Sequence, residues 1–266
     1  MTKRCLGCGG PLELMELLLE RCEAEYGAPL VRRTLGFIAC SRFGMGEEEL
    51  LQLLGAPLDV WSPFHLATRA SLCNTAGLFN ISNSCLEEAV RRRYLGTGRQ
   101  ATRSSTAKVI IHQDLCAFFQ SAGTDLISER RRCEELPFHL LHAGELAALE
   151  RFILDIAHFR QLHHHRAFDL HTFWRAIGAA AGCEGVPTDL GDRYLSALDR
   201  SHGKLKEDVA ARYAAHDSRA EKALQDETAQ ICSHLGDFLC AVSQYEAAAA
   251  LQQRALDIDH SIFDNM

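Results

Sequence analysis

The chain has no long apolar run. Among its 266 residues the stretch Ala176 to Ala181 is typical of the longest, far below the roughly 20 residues that a membrane-spanning helix needs, so no membrane insertion is expected. It also lacks a surplus of positive charge. The formal net charge is −7, and binding a polyphosphate depends chiefly on clustered Lys and Arg, so nucleic acid is not the expected partner. A second Cys-x-x-Cys is missing too. "CLGC", Cys5 to Cys8, offers half of a zinc-knuckle spacing, whereas a structural zinc site takes four ligands, so the pair reads as part of a frayed N-terminal tail. No Ser/His/Asp or Cys/His constellation stands in an interpretable local context. The sequence therefore assigns no catalytic residue, no cofactor and no metal, and a hydrolase with a site assembled from distant residues has no positive support.

What is present is an apolar content of 47%, enough to bury a substantial core in one large domain or two smaller ones. Eleven cysteines are scattered through apolar helical segments, odd in number and preceded by no signal-peptide pattern. That usage fits a reducing, cytoplasmic setting better than a disulfide framework.

Hydrophobic periodicity reads as helix after helix. In "PLELMELLLERCEAEYG" the residues Leu12, Met15, Leu18, Leu19 and Cys22 share one face, with Pro11 opening the helix and Gly27 closing it. Helices are predicted over Pro29 to Ser41 and Glu47 to Leu54, separated by the glycine turn "RFGMG", and a third over about Ser62 to Thr75. "GLFNISNS" is the one convincing extended segment, and three helices followed by a short strand suggest a winged-helix unit. Ser84 and Glu87 suit a capping box for the next helix. After the polar loop Gly96 to Thr106 and the helix "KVIIHQDLCAFFQ", the pattern becomes helical hairpins: "EELPFHLLHAG" with "ELAALERFILDIAHFRQL" about Gly144, then "FDLHTFWRAIGAAAG" with "DLGDRYLSALDRSHG" about "CEGVPT". The polar stretch Lys204 to Gln230 is predicted helical and is the expected flexible joint.

The last hairpin, "HLGDFLCAVSQYEAAAALQQRAL", fits a tetratricopeptide template whose first position is Ala229. Cys232, Leu235, Gly236, Leu239, Tyr245, Ala248, Ala255 and Leu256 then fall where bulky, small and bulky residues are wanted. Gly236 and Ala248 would let the helices approach while Leu235, Leu239 and Tyr245 fill the seam. Gln252 and His260 depart from the template, which favours an aromatic and a proline there. The template lines its groove with the first helix, which implies Gln230, Ser233, Asp237 and Cys240 as partner contacts for an extended peptide or helix. A single unit lacks its next neighbour, so Leu251, Leu256, Ile258 and Ile262 are expected to form an unfilled face and the C-terminal hairpin is a candidate for self-association.

Other clusters carry weaker signals. His158 with His163, His164 and His165 reads as a solvated helix end that could take adventitious metal, and His139 with His142 as core or rim histidines. The runs Arg91 to Arg93 and Arg130 to Arg132 are flanked by Glu87, Glu88, Glu134 and Glu135, so helix-surface ion pairs are the favoured reading. Phosphate contacts from a nucleic-acid-binding winged helix are the alternative.

The order "LERCEAEYGAPLVRRTLGFIACSRFGMGEEELLQLL", "LEEAVRRRYL", "IIHQDLCAFF", "EELPFHLLHAGE" and "YEAAAALQQRALDI" resembles the segment that follows the nucleotide-binding module in nephrocystin-type signalling ATPases with tetratricopeptide arrays. The resemblance covers nearly all of the chain. It implies a winged-helix unit, a helical superstructure and repeats acting as a scaffold, at the primary cilium in one member. Such proteins carry a P-loop upstream, and no GxxxxGK[ST] occurs here, so ATP-driven switching is not carried over.

The expectation is thus a mainly α chain: an N-terminal tail and helix over 1–27, a winged-helix-like unit over 28–123, an α-solenoid-like helical hairpin region over 124–216 and a tetratricopeptide-like hairpin over 217–266. Its expected role is a non-enzymatic scaffold for a protein or peptide partner, read as a fragment-like relative of that family.

Overall fold

The computed structural model describes residues 9–96, 106–212 and 218–264. Cys5, Cys8, most of the loop 96–106 and part of the predicted joint lie outside the described residues. The fold is mainly α, with twelve helices among the described residues and one small sheet. The chain divides into two compact units, Met1–Glu145 and Leu146–Met266, a boundary inside the span read from sequence as the helical hairpin region.

The first unit opens with α1 (Pro11–Tyr26) and α2 (Ala28–Cys40), each begun by a proline in its first turn, where the missing N–H costs nothing. Gly27 separates them at a positive φ of 91°. Strand β1 (Met45–Gly46) runs straight into α3 (Glu47–Leu54), whose start is held by Glu49 accepting from the Gly46 amide at 2.8 Å. Then come α4 (Leu58–Thr68), β2 (Leu72–Thr75), β3 (Leu78–Ile81), α5 (Ser84–Tyr94), α6 (Thr106–Ser121) and α7 (Glu129–Ala143).

The antiparallel sheet has the order β1-β3-β2. Pairing Thr75 with Leu78 leaves a two-residue loop, Ala76 and Gly77, both at positive φ (54° and 86°), the turn whose twist matches a hairpin. Residues 72–75, expected at the end of a helix, are therefore strand: α4 ends at Thr68 and the hairpin takes the remainder. A second correction concerns α5. Its cap is Asn83, whose side chain accepts from the amides of Cys85 and Leu86 at 2.7 and 3.3 Å, so Ser84 is already inside the helix. The turn before β1 lies tight on the sheet: a Cβ at Gly44 would sit 2.6 Å from the Phe79 carbonyl oxygen. Trp61, Phe64, Phe37, Phe119, Met45 and Leu50 are fully buried at the centre of this unit.

The second unit holds α8 (Leu146–Leu154), α9 (Ile156–Ala180), α10 (Leu190–Arg212), α11 (Ser218–Ala241) and α12 (Tyr245–Asp264). One continuous helix was expected across residues 145–162, but Asp155 interrupts it, capping α9 by accepting from the Ala157 and His158 amides. A non-helical Arg166 (φ −149°, ψ 41°) kinks α9. Its core is aromatic. Tyr194 meets Phe159, Trp174 and Phe238 edge-on, with ring centroids 5.1, 5.7 and 5.9 Å away, the geometry that ring quadrupoles favour.

Two glycines set the helix spacing in this unit. A Cβ on Gly236 would lie 2.7 Å from Gln252 Cγ and 3.3 Å from the Ala248 oxygen, the α11–α12 approach expected from sequence. A Cβ on Gly191 would lie 2.2 Å from Ala247 Cβ, so α10 meets α12 just as closely. Leu235, Leu239 and Leu251 are fully buried. Tyr245, expected in the seam, is instead 64% exposed. The expected unfilled face is also largely covered: Leu251 and Ile262 are buried and Ile258 half-buried, leaving Leu256 exposed.

Candidate functional site

Charge is concentrated at the centre of the first unit. The Arg131 guanidinium on α7 lies between two carboxylates, donating Nε to Glu49 Oε1 (2.9 Å), Nη2 to Glu49 Oε2 (3.0 Å) and Nη1 to Glu135 Oε1 (2.6 Å). Glu135 also accepts the amides of Arg42 and Phe43, both at 3.0 Å, and Arg131 reaches the Gly44 carbonyl at 2.6 Å. Burial alone would raise the Glu135 pKa. His139, Arg131 and the Arg42 amide outweigh it and hold the carboxyl below its usual range. Burial pulls the Arg131 pKa down, and Glu49 and Glu135 more than restore it. Most of these bonds hold the 42–46 turn, and Glu135 also lies 3.1 Å from His139 Nε2, so the centre is a structural clasp.

Beside it lie the histidines. His139 and His112 are buried, with their Nδ1 atoms 3.0 Å apart, and His142 stacks on His112 with ring centroids 5.0 Å apart. The contact requires one Nδ1 to donate and the other to accept, so at least one ring is neutral. Burial, reinforced by His139 and His142, pushes the His112 pKa down to about 2, and burial likewise brings His142 down to about 4. The expectation of core or rim histidines thus matches this placement. The other histidine group divides: His164 and His165 are exposed, while His163 turns inward to stack on Phe159 and His234, and burial lowers its pKa. The solvated-end reading fits only the first two.

The arginine runs are spent on ion pairs. Arg91 and Arg92 each meet the glutamate one turn earlier at 2.7 Å, Arg93 meets Glu23 at 2.5 Å, and Arg130 meets Glu134 at 3.1 Å. Arg132 donates to the carbonyls of Phe119 and Ala122 and sits 3.4 Å from Glu129. The α4 helix, second after β1, presents Val60, Pro63, Leu66 and Ala67 outward, with no Lys or Arg between Leu58 and Thr68. A phosphate-binding face would need free cations in these places.

The implied groove residues fall on one helix, α11, at spacings of three and four. Gln230, Asp237 and Cys240 are exposed and Ser233 is half-buried. Gln230 and Ser233, with Asp226 and Ala229, line an open cleft of about 510 Å³ whose other wall is Gln252, Ala255, Leu256 and Asp259 on α12. Asp237 instead accepts from Gln252 Nε2 at 3.4 Å, and Cys240 lies beyond the cleft. The structure thus brings two of the four into one concavity and leaves the others along the same face. Sequence reasoning missed the α12 wall, for which the departure at Gln252 was the available sign.

No protein-family model matches the chain, and no solved structure shows significant similarity to it. Over 268 aligned positions it is 23% identical to Nephrocystin-3 of Xenopus laevis, covering 98% of this chain and 19% of that protein. To NACHT domain- and WD repeat-containing protein 1 it is 27% identical over 192 residues in Homo sapiens and 25% over 199 in Mus musculus, each covering 53% of this chain and 12% of the relative. The chain therefore spans a fifth or less of the length of these relatives. Clasp, histidine core and paired helices accordingly sit in a chain related to the nephrocystin-like and NACHT-type proteins.

Proposed function

We propose that the chain is a non-enzymatic scaffold segment that binds a protein or peptide partner along α11. In this reading the first unit, ordered helix-strand-helix-helix-strand-strand, is a winged-helix unit turned to structural use. The second unit is a tetratricopeptide-like stack, with α9 and α10 preceding the hairpin of α11 and α12. The observation that carries the proposal is the row Gln230, Ser233, Asp237 and Cys240, exposed or half-buried along one side of a helix locked to α12 at Gly236. A rigid helix with small and polar side chains in register suits recognition of an extended peptide or a helix. His112 and His142, kept neutral by burial, and the two arginine runs held in ion pairs support a structural role for the first unit. A cytoplasmic location, ciliary in the nephrocystin-like case, belongs to the same reading.

The test is a displayed peptide library selected on the chain, with each binder retitrated against Ser233→Trp and Asp237→Lys. At least tenfold weaker binding to both, with unchanged melting curves, is the expected result. Binders indifferent to both substitutions would overturn the groove. Tight, salt-sensitive binding to generic duplex DNA that falls with Arg91→Ala and Arg92→Ala would favour a nucleic-acid role instead.

A further inference from the structure

The cleft between α11 and α12 is graded in chemistry along its length. The two helices leave a three-residue turn in opposite directions, and the residues lining the cleft recur at steps of three and four on each helix, so they fall into layers. Asp226 lies opposite Asp259 at the open end of the hairpin, Ala229 opposite Leu256 in the middle, and Ser233 opposite Gln252 nearest Gly236. Ala229 is buried as part of the floor, whereas Leu256 is 52% exposed.

The charge of this cleft has one sign. No Lys or Arg lines it among the described residues. Among those residues neither Asp226 nor Asp259 meets a cation, whereas the neighbouring Glu227 is shared by Arg160 and Arg212 at 2.9 and 2.7 Å. Two uncompensated carboxylates beside an exposed leucine complement a partner that carries a cation next to an aliphatic side chain, and they repel an acidic one.

The spacing of the layers selects the partner's form. Steps of three to four helical residues set successive layers about 5 Å apart, and side chains along one face of a docked helix recur at about 5.4 Å. Along one face of a strand they recur at about 6.7 Å. A helix therefore keeps register through all three layers, and a strand slips out of it.

We propose, on the footing of the α11 groove, that its occupant is an amphipathic helix of another protein. It carries Lys or Arg, an aliphatic residue and a small polar residue at i, i+4 and i+7, with the cation seated between Asp226 and Asp259 and the aliphatic residue on Leu256.

A displayed library of peptides about 20 residues long, enough to hold a helix in water, tests it when those three positions are randomised and the library is selected on the full chain. Lys or Arg is expected to outnumber Asp and Glu by about tenfold at one end of the triplet, with aliphatic residues at its centre. Asp226→Asn and Asp259→Asn together keep the side-chain shapes and the melting curve, and should weaken the selected binders about tenfold. Rising salt should weaken them too. With Asp226→Lys and Asp259→Lys together, replacing the binder's cation by Glu should restore binding. Binders lost with Ser233→Trp but indifferent to the asparagine pair, or selected without a cation, would overturn the charge assignment and leave the groove standing. Binders indifferent to Ser233→Trp as well, or a selection that yields none, would overturn the groove and this proposal with it.

Discussion

The polar group that organises the core of the first unit is a guanidinium between two buried carboxylates, Glu49 and Glu135. In the second it is the Tyr194 phenol, which accepts from Trp174 Nε1 at 3.0 Å and donates to the Ile153 carbonyl at 3.2 Å. The first arrangement spends desolvation on two acids and a base and recovers it through their mutual attraction, so it adds little net stability yet is intolerant of losing one member. The second buries large rings with a single polar handle, and its stability comes from area and ring geometry. The difference teaches that the clasp fixes where the 42–46 turn lies, while the rings supply the cohesion of their unit.

Removing the clasp's cation gives the largest contrast. Arg131→Met leaves the buried Glu49 and Glu135 without their shared cation, and the expected loss is about 3–5 kcal/mol. Hydrogen exchange followed by mass spectrometry should show protection falling across residues 28–145 and holding in 146–212; simultaneous loss in both would break the comparison and make the units one cooperative body.

Tyr194→Phe is the matching change in the second unit. It leaves the Trp174 N–H and the Ile153 carbonyl without their partner while keeping the ring, and the expected cost is on the order of 1–3 kcal/mol. Thermal melts read it directly, and exchange should now rise in the second unit alone.

Acid supplies the smallest and most selective effect. The folded-state pKa values of His112 and His142, about 2 and about 4, lie below the ordinary 6.5. As pH falls through 6.5 the unfolded chain therefore takes up protons that the folded chain refuses. Stability present above that value drains away below it, by about 1 kcal/mol for His112 between pH 7 and 5.5. Glu135, held low, begins to contribute only at more acidic pH. His163 adds a weaker slope in the second unit, being only half-buried. Stability of the first unit measured against pH should flatten in His112→Phe; an unchanged slope would assign the acid sensitivity elsewhere.

Local chemistry was legible in the sequence where it acts locally. Pro11, Gly27, Gly144 and the acidic start of α3 delimit helices through their own backbone preferences, and Gly236 announced a close approach because a hairpin packs on itself. Residues 72–75 misled because Leu72, Cys73 and Thr75 continue a helical run, and only pairing with β3 makes them strand. Ser84 looked like a cap, yet Asn83 one place earlier has the better-placed oxygen. The clasp was hidden in the middle of an arginine triplet, since Arg131 acquires its role from Glu49, separated by 82 positions. Of the candidate site, the four α11 positions came from the repeat template, and the α12 wall had no counterpart in it, because a cleft belongs to two elements at once.

Synthesis imposes an order on that clasp. The amide of Arg42 and the carboxylate it binds are 93 positions apart, so at about 5–20 residues per second the turn waits roughly 5–20 s for its anion to be made. Until α7 leaves the ribosome, Glu49 and the amides of Arg42 and Phe43 have only water to bond, and the sheet stands without its keystone. The hairpin of α11 and α12 needs only its own neighbouring residues. The turn, made before its anion, is therefore among the last parts of its unit to close.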